Sequence, residues 1–539
     1  MGRMMIISPA AKRAVIRSGS PLSAVLSSFR YSRETHPPGS DNHGCLTLHF
    51  AKNGDERRAK SLKPTLPAAG CGMMVFALFF LLVGCMVGPD YVRPSVDIPV
   101  SYIYGEKDAQ ETANTEWWKQ FRDPVLDGLI SEALSNNKNV KVAAANVEQA
   151  AAVLIQARAP IFPQLGYSGS GTKQRASENN AVPLSPLVPN PQTSYEAIAS
   201  ASWEIDLWGR IRRLTEAAKA ELLATEEAQR GVVLSLVASV AGDYIQLLGL
   251  DEQRLIAKRT MAAYAESVRI FELQFKYGQV SQMNVEQARS QYETAAAAVP
   301  QIESQVSQME NAISVLLGRN PGPVPRGRTI HELTAPVVPA GLPSDLLASR
   351  PDIRQAEQNL IAANAQIGAA KALYFPTISL TGLKGYASED LSDLFRGPSR
   401  IWSYAGSVTG PLFTGGGIYG QVKQAEAARK AALNNYELTI QSAFSDVENA
   451  LVSRRKLAEQ IQAQERLVKA NGEYVRLAQL QYNGGYSPYS TVLQAEQQLF
   501  PAELNYAQYR AALFTSLVNI YKAMGGGWQA ASVLTEVKN

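Results

Sequence analysis

The chain has 539 residues, of which 46% are hydrophobic and only 19% charged. This balance, with Ala, Gln, Leu and Val dominant, favours one elongated protein of long packed helices over several globular domains. The formal net charge of +4 arises in residues 1–84, and the remainder is close to neutral. No basic surface for nucleic acid is therefore expected.

The N-terminus predicts export and lipid attachment. Residues 1–60 are rich in Pro, Ser and Arg, and we interpret them as an over-extended or disordered start. In residues 61–84 a basic flank precedes the apolar run Met73–Val83, which is shorter than the roughly 20 residues of a transmembrane helix and indicates a signal peptide. Leu82-Val83-Gly84-Cys85 resembles a bacterial lipobox, so Cys85 is expected to begin the mature chain and to carry diacylglycerol and palmitate. The alternative is a buried helix with a chance cysteine.

The supply of cysteine and histidine excludes several kinds of site. Cleavage before Cys85 would leave that cysteine alone in the mature chain, and His331 would be its only histidine. A disulfide framework and a histidine metal cluster are thereby excluded, and a catalytic triad would rest on His331 alone. His331 lies in a Pro-rich segment and is expected to be a solvated loop residue, so the chain is predicted not to be an enzyme and to need no metal or other cofactor.

An internal repeat organises the chain, because residues 138–163 match residues 351–376 at a constant spacing. In each copy an Ala-rich helical run ends at Phe-Pro, two alternating segments follow, and a long helical pattern comes next. The repeat predicts two units: residues 85–330 with the lipid anchor, and residues 341–528. Residues 529–539 then form a C-terminal tail.

Alternation with a period of two predicts a β-hairpin in each repeat, at residues 164–208 and 377–413. In the first hairpin Ala199 lies on an apolar face and Ser200 on a polar face that also carries glutamates. A set of aromatic residues lies near the strand ends or along these faces, as in membrane barrels: Trp203, Trp208, Trp402, Tyr404 and Phe413. The alternative is a soluble hairpin packed on its own helices, but glutamates on one face favour a water-filled interior.

Four strands cannot close a membrane barrel, since the smallest such barrels have about eight. Three chains would close a twelve-stranded barrel and leave no exposed edge. The predicted fold class is therefore α+β, with a long α-helical coiled-coil barrel, a transmembrane β-barrel built from four strands per chain, and an internal two-fold repeat.

Two helical patterns without proline, at residues 209–277 and 421–482, keep coiled-coil steps and would each extend on the order of 100 Å. Each ends in a turn, Tyr277–Ser281 and Asn483–Ser487. In each turn a glycine permits a left-handed residue, and a serine is predicted to cap the returning helix.

Several motifs then carry a family resemblance. They are Cys85-Met86-Val87-Gly88-Pro89-Asp90-Tyr91-Val92-Arg93-Pro94, Leu316-Leu317-Gly318-Arg319-Asn320-Pro321-Gly322, Gly341-Leu342-Pro343-Ser344-Asp345-Leu346-Leu347, Arg350-Pro351-Asp352-Ile353 and Gly525-Gly526-Gly527-Trp528. From Cys85 to about Trp528 the chain resembles the TolC-like outer-membrane efflux lipoproteins of the NodT type, which are outer-membrane factors similar to OprM.

The resemblance implies a homotrimer in outer-membrane lipid, anchored by the lipid on Cys85, whose helical barrel spans the periplasm. It implies a passive exit duct of a tripartite efflux pump, gated at its periplasmic end. The implied partners are a periplasmic adaptor, or membrane fusion, protein and an inner-membrane transporter of the resistance-nodulation-division type.

The resemblance also places the periplasmic gate and adaptor dock at the two turns and the helices after them. The expected site residues are Gly278, Ser281, Asn284, Gly484, Tyr486, Ser487, Tyr489, Gln494, Glu496 and Gln497. Gln494 and Gln497 replace an Asp and an Arg of many relatives, so an ionic latch is not expected. Closure is instead expected from hydrogen bonds among Gln494, Glu496 and Gln497 and from packing of Tyr482, Tyr486 and Tyr489. The alternative is ordinary exposed glutamine on a coiled coil.

Two other functions stay open at the level of sequence. The same duct would serve a type I secretion system, and a periplasmic coiled-coil lipoprotein scaffold would use the same helices but not the hairpins.

Overall fold

The computed structural model describes residues 86–105, 116–177, 179, 189–338 and 343–527. The predicted N-terminal extension, the signal peptide, Cys85 and the C-terminal tail lie outside these residues. The described helices are α1 (Pro124–Asn136), α2 (Lys138–Arg158), α3 (Arg210–Lys276), α4 (Gln282–Leu316), α5 (Leu346–Ser349), α6 (Pro351–Ala372), α7 (Gly417–Asn483) and α8 (Tyr489–Ala523). The described strands are β1 (Gln164–Gln174), β2 (Gln192–Ile205), β3 (Thr377–Ser388) and β4 (Arg400–Thr409).

The two halves of the described chain have the same order of elements. In each, a helix leads into two strands, a very long helix and a shorter returning helix. The long helices α3 and α7 both have 67 residues, and the returning helices α4 and α8 both have 35. At about 1.5 Å per residue each long helix extends roughly 100 Å.

Some element boundaries differ from the predicted ones. β2 ends at Ile205 and β4 at Thr409, so each hairpin ends a few residues before its predicted last residue, 208 or 413. α7 begins at Gly417, four residues before its predicted start, because Gly416 adopts a left-handed conformation with φ 87° and turns the chain into the helix.

The four strands form one antiparallel sheet in the order β1-β2-β3-β4. The two hairpins are joined because β2 pairs with β3 along their length. Residues directly opposite each other share a face of the sheet. One row contains Leu165, Ala201, Gly382 and Tyr404, and the next row contains Tyr167, Ala199, Lys384 and Trp402. Within this sheet β1 and β4 each keep one unpaired edge.

Most of the described helices pack against α3, whereas α7 packs against α6 and α8. The first half of α3 contacts α2 and α6 near the sheet, and its second half contacts α4 and α8. The ion pair Lys258–Glu303 joins α3 to α4, and Arg259–Glu503 joins α3 to α8. α3 also contains the one described stretch that is long and apolar enough to cross a membrane, but 67% of that stretch is buried, as expected of a core helix.

The main core lies where the chain around Trp117 and Asp123 meets α3 and α8. Trp117 is fully buried and stacks on Tyr521 with ring centres 5.1 Å apart. Asp123, also fully buried, caps α1 through the amides of Val125 and Leu126. The Tyr244 hydroxyl donates to the same carboxylate at 2.8 Å, so the buried charge is satisfied by hydrogen bonds.

The Arg-Pro-Asp motif joins the two ends of the second repeat. Arg350 is 8% exposed, and its guanidinium donates to the carbonyl of Ala523 at 2.9 Å. Its remaining donors reach Asp352 and Asp446 at 2.6 and 3.0 Å. A cation at the C-terminus of α8 also complements the dipole of that helix, so this motif has a structural role.

Candidate functional site

Two regions of the molecule hold the residues of functional interest. They are the junction between the sheet and α3, and the tips formed by the hairpins α3–α4 and α7–α8. At the junction, the amide of Val87 donates to the carbonyl of Trp208 at 3.1 Å. A Cβ on Gly209 would lie 2.9 Å from the side chain of Met86. The residue directly after Cys85 is therefore fixed where the sheet meets the helices.

Arg213 of α3 binds the segment that follows Cys85 and fixes its position. Its side chain is 2% exposed, donates to the carbonyls of Val87 and Gly88, and binds the Asp90 carboxylate at 2.7 Å. A buried cation requires such partners, because an unpaired charge is costly to bury. Arg213 is not among the predicted residues, since an arginine in the first turn of a long helix carries no distinctive signal.

Gly88 brings the segment into contact with α6. It has φ 103°, and a Cβ there would lie 2.4 Å from the Cα of Gly368. The side chain of Asn364 donates to the carbonyl of Pro89 at 2.9 Å. The motif after Cys85 thus corresponds to one extended segment that is clamped between α3 and α6.

The sheet has one largely apolar face and one largely polar face. The first face carries exposed Leu165, Trp402 and Tyr404, with 83%, 68% and 81% of their surface accessible. The second face carries Ser200, Ser202 and Glu204, with the apolar Leu383 opposite Ser200. Lys384 is an exception, because it lies in the same row as Ala199 on the apolar face.

The predicted aromatic set is only partly on the strands. Trp203, Trp402 and Tyr404 lie in β2 and β4. Trp208 instead lies at the junction, where it stacks on Phe375 at 4.6 Å and donates its indole N–H to the carbonyl of Pro376 at 2.8 Å. Phe413 follows β4 and is 91% exposed. Trp208 therefore lies at the junction and Phe413 lies between β4 and α7, so neither residue is part of a strand.

At the helix tips, each turn contains a left-handed glycine. Gly278 has φ 73° as expected, but in the second turn the left-handed residue is Gly485, with φ 77°. Gly484 is right-handed and ends α7, and a Cβ there would lie 2.8 Å from the ring of Tyr486. The left-handed glycine predicted for the second turn is thus Gly485, because two adjacent glycines gave no basis for choosing between them.

The two serines do not cap the returning helices as predicted. Ser281 occupies the N-cap position of α4, but its hydroxyl accepts no hydrogen bond from the helix backbone and instead donates to the Asn284 side chain at 2.8 Å. In the second turn Pro488 takes the N-cap position of α8, and the buried Ser487 hydroxyl has no hydrogen-bond partner within the described residues. Proline at this position leaves Ser487 outside the helix start.

An aromatic cluster joins the two helical hairpins, α3–α4 and α7–α8, near their tips. Phe271 of α3 lies 4.0 Å from Tyr489 of α8 between ring centres, and Tyr482 lies 5.3 Å from Tyr489. The predicted packing of Tyr482 and Tyr489 is present, but Tyr486 is 87% exposed and outside the cluster. Phe271 was missed, although it lies seven residues after Tyr264 on the same helical face.

The predicted gate residues on α8 differ in their surroundings. Gln494 and Gln497 are exposed, whereas Glu496 is half-buried. No hydrogen bond among these three side chains occurs within the described chain, so any such bond would have to join neighbouring copies. Burial raises the pKa of Glu496 to about 7, and its Oε2 atom is buried without a hydrogen-bond partner among the described residues.

Comparison with known proteins assigns the chain to a family. The family model for outer membrane efflux proteins matches residues 129–319 and 342–526. The chain belongs to the outer membrane efflux protein family. The toluene efflux pump outer membrane protein TtgF of Pseudomonas putida is 37% identical over 469 residues, which cover 85% of this chain and 97% of TtgF. The cation efflux system protein CusC of Escherichia coli is 34% identical over 465 residues, which cover 85% of this chain and 99% of CusC.

Solved structures agree with this assignment. A crystal structure of CusC aligns over its whole length with 82% of this chain, with a TM-score of 0.74 and 34% sequence identity. The outer-membrane channel OprN covers 83% of this chain and all of that chain, with a TM-score of 0.76 and 30% identity. The fold is thus that of the TolC-like channels, and the predicted family and fold class are confirmed.

The family assignment decides the general function. This efflux protein is the outer-membrane channel of an efflux pump, extends into the periplasm and is not an enzyme. Of the alternatives left open by the sequence, the efflux channel is favoured over a periplasmic scaffold. The sheet is then the part suited to the membrane, and the helix tips are the part farthest from it.

Proposed function

We propose that three copies of this chain assemble into a closed duct whose twelve strands cross the outer membrane. The observation that carries the proposal is the four-stranded sheet with two unpaired edges, β1 and β4. Its strands have 11, 14, 12 and 10 residues, which suits the roughly 9–11 residues of a tilted transmembrane strand. Unpaired edges are costly in lipid, and closing the barrel with two further copies removes them.

The two faces of the sheet support the same arrangement. Lipid would contact the face with Trp402 and Tyr404, and the face with Ser200 would line a water-filled interior. Lys384 on the apolar face lies beside Trp402. A long lysine side chain next to an interfacial aromatic residue reaches the headgroups at the outer end of the barrel.

The helices extend the duct across the periplasm, and the hairpin tips form its gate. The cluster of Phe271, Tyr482 and Tyr489 joins the hairpins within each copy, and exposed Gln494 and Gln497 are available to neighbouring copies. Short neutral hydrogen bonds between copies, rather than an ionic latch, would hold the tips together. A modest separation of hairpins would then open the duct.

Lipid on Cys85 anchors each copy. The support is the clamped segment after it, since Met86 contacts Gly209 at the junction of the sheet and α3. That junction is where the inner surface of the outer membrane would lie. An acyl chain attached one residue earlier would enter the lipid without stretching the segment.

The implied partners are a periplasmic adaptor at the tips and an inner-membrane transporter of the resistance-nodulation-division type. The relatives bear names for toluene, antibiotic and cation efflux pumps, which favours small-molecule efflux over a type I secretion role. A passive duct selects little, so the transporter would determine which of these substrate classes is exported.

Intact and native mass spectrometry test the assembly and the anchor together. The purified protein is expected to have the mass of three chains, each beginning at Cys85 and bearing diacylglycerol and a third acyl group. The Cys85→Ser variant is expected to lose the lipid mass while keeping the helices and sheet. A monomer or dimer at all detergent concentrations would contradict the duct, and undiminished lipid on the variant would contradict the anchor.

A further inference from the structure

Glu496 lies in the seam through which α8 packs against α3, which we call the hairpin seam. Tyr489, Val492 and Glu496 are spaced by three and four residues and therefore share one face of α8. Val492 is 1% exposed and packs in the cluster that includes Phe271 of α3. A carboxyl group thus occupies a seam position that is otherwise filled by apolar and aromatic side chains.

No cation offsets this carboxyl group among the described neighbours. From α3 it faces Tyr264, which is 5% exposed, and on its own helix it lies near Tyr489, whose hydroxyl is hydrogen-bonded to Ser267 of α3. The two arginines of α3 that flank this region are already paired, Arg259 with Glu503 at 3.0 Å and Arg269 with Glu266 at 2.6 Å.

The other two helices at the tip add no free charge to the seam. On α4, Arg289 is engaged by Glu272 and Glu286 at 2.8 and 3.1 Å. On α7, the neutral Asn471 donates to the carbonyl of Gln498 at 3.0 Å. The Oε2 atom of Glu496 is buried and has no partner within the described chain.

A buried carboxyl group without a partner favours its neutral form, because desolvation penalises the charged form. Consistent with this, burial raises the pKa of Glu496 from 4.5 to about 7. If separation of the hairpins hydrates the group, its pKa returns toward the ordinary value. The packed seam then binds a proton more tightly than the separated seam.

We infer that Glu496 links closure of the helix tips to protons, so that the two hairpins hold together while its carboxyl group is neutral and separate more readily once it ionises. The inference rests on the proposed gate, since hairpin separation opens the duct only if the tips close it. The sign follows from linkage: the stabilising effect is complete below about pH 4.5 and is lost as the pH rises to about 7. Within that window the opening equilibrium increases by up to about tenfold per pH unit.

A buried cysteine reports separation directly. Val492 is 1% exposed in the hairpin seam, and Val492→Cys in the full-length protein would react with a neutral maleimide only when the seam opens. The labelling rate is measured from pH 5 to 8 with Glu496 present and with Glu496→Gln. The rate with Glu496 is divided by the rate with Gln at each pH, and this ratio removes the intrinsic pH dependence of the thiol. The ratio is expected to be lowest at pH 5, to rise by up to about tenfold per pH unit and to level off above about pH 7.

Two further variants complete the test. Glu503→Gln changes a carboxylate on the same helix that is already paired with Arg259, and it should keep the pH-dependent ratio. Glu496→Leu should give the flat profile of Glu496→Gln, which covers the case in which the amide perturbs folding. A ratio that stays constant from pH 5 to 8 would overturn the inference. Planar-bilayer conductance of the same proteins separates the two claims, because a rising ratio without a change in conductance would refute the gate but not the proton linkage.

Discussion

At the scale of single residues, Gly88 shows how the chain positions its own N-terminus. Its φ is 103°, and a Cβ on this residue would lie only 2.4 Å from the Cα of Gly368, which leaves no room for a side chain. Arg213 and Asn364 then hold the residues on either side. The segment that follows Cys85 is thereby fixed relative to the sheet.

We expect Gly88→Ala to release this segment from α3 and α6. A non-glycine residue in that conformation costs on the order of 1–3 kcal/mol, and the contact with Gly368 adds to the cost. Chymotrypsin cleavage after Tyr91 should become much faster, as measured by mass spectrometry of the fragments. Gly128→Ala is the matched control, because a Cβ at Gly128 meets nothing within 4 Å; equal cleavage of both variants would show that the segment is not clamped.

Sequence reasoning identified the turn glycines but not the state of every side chain beside them. A glycine after a long helical pattern is sufficient to predict a left-handed turn, and Gly278 confirms it. The burial of Glu496 and the exposure of Tyr486 depend on how two hairpins pack together. No local pattern contains that information, because the hairpins are far apart in sequence.

At the scale of elements, the sheet allows a matched comparison of its two faces. Ala201 lies on the apolar face in the row of Leu165 and Tyr404, and Ser200 lies next to it on the polar face. Ala201 is a better probe than Ala199, whose row already contains Lys384. An arginine at Ala199, beside Lys384, would lie near the membrane surface and would not test the membrane interior.

Ala201→Arg is expected to reduce assembly strongly, whereas Ser200→Arg should reduce it little. An arginine that faces lipid near mid-depth costs roughly 2–4 kcal/mol, and the trimer repeats that cost in each copy. The yield of heat-sensitive trimer from outer-membrane fractions on semi-native gels measures the difference. Equal yields from the two variants would mean that the faces are assigned wrongly.

The tip helices allow a second test at this scale. Replacing Gln494 and Gln497 by Ala should loosen closure modestly, because each neutral hydrogen bond between copies contributes only about 0.5–1.5 kcal/mol. Resting conductance in planar bilayers should rise without loss of trimer. Ala at the exposed Gln441 and Gln462 of α7 serves as control, and a double variant at the tip that conducts like this control would place the constriction elsewhere.

The elements themselves were largely predictable from periodicity. The heptad-like spacing identified both long helices, and alternation identified all four strands. The strand ends and the start of α7 were placed several residues off, because the left-handed turn at Gly416 and the junction residues are not part of a repeating pattern. Pairing of β2 with β3 also required the structure, since it joins strands from different repeats.

At the scale of the whole molecule, the unpaired edges of the sheet imply neighbours. In a ring of identical chains, β4 of one copy would lie antiparallel to β1 of the next, and a residue on one edge would meet a different residue on the other edge. The contact is therefore heterologous. Single cysteines on either edge would not pair with themselves, but a cysteine on each edge would form bonds around the ring.

Disulfide trapping across these edges is the most direct test of the proposed duct. Ser168→Cys on β1 would be combined in turn with Ser403→Cys, Ala405→Cys and Ser407→Cys on β4, because the register between copies decides which pair comes within the roughly 4.4–6.8 Å that a disulfide requires. At least one combination should give a covalent trimer on denaturing gels after oxidation, and every single variant should stay monomeric. Absence of cross-links from all three combinations in membrane-inserted protein would contradict a barrel closed by three chains.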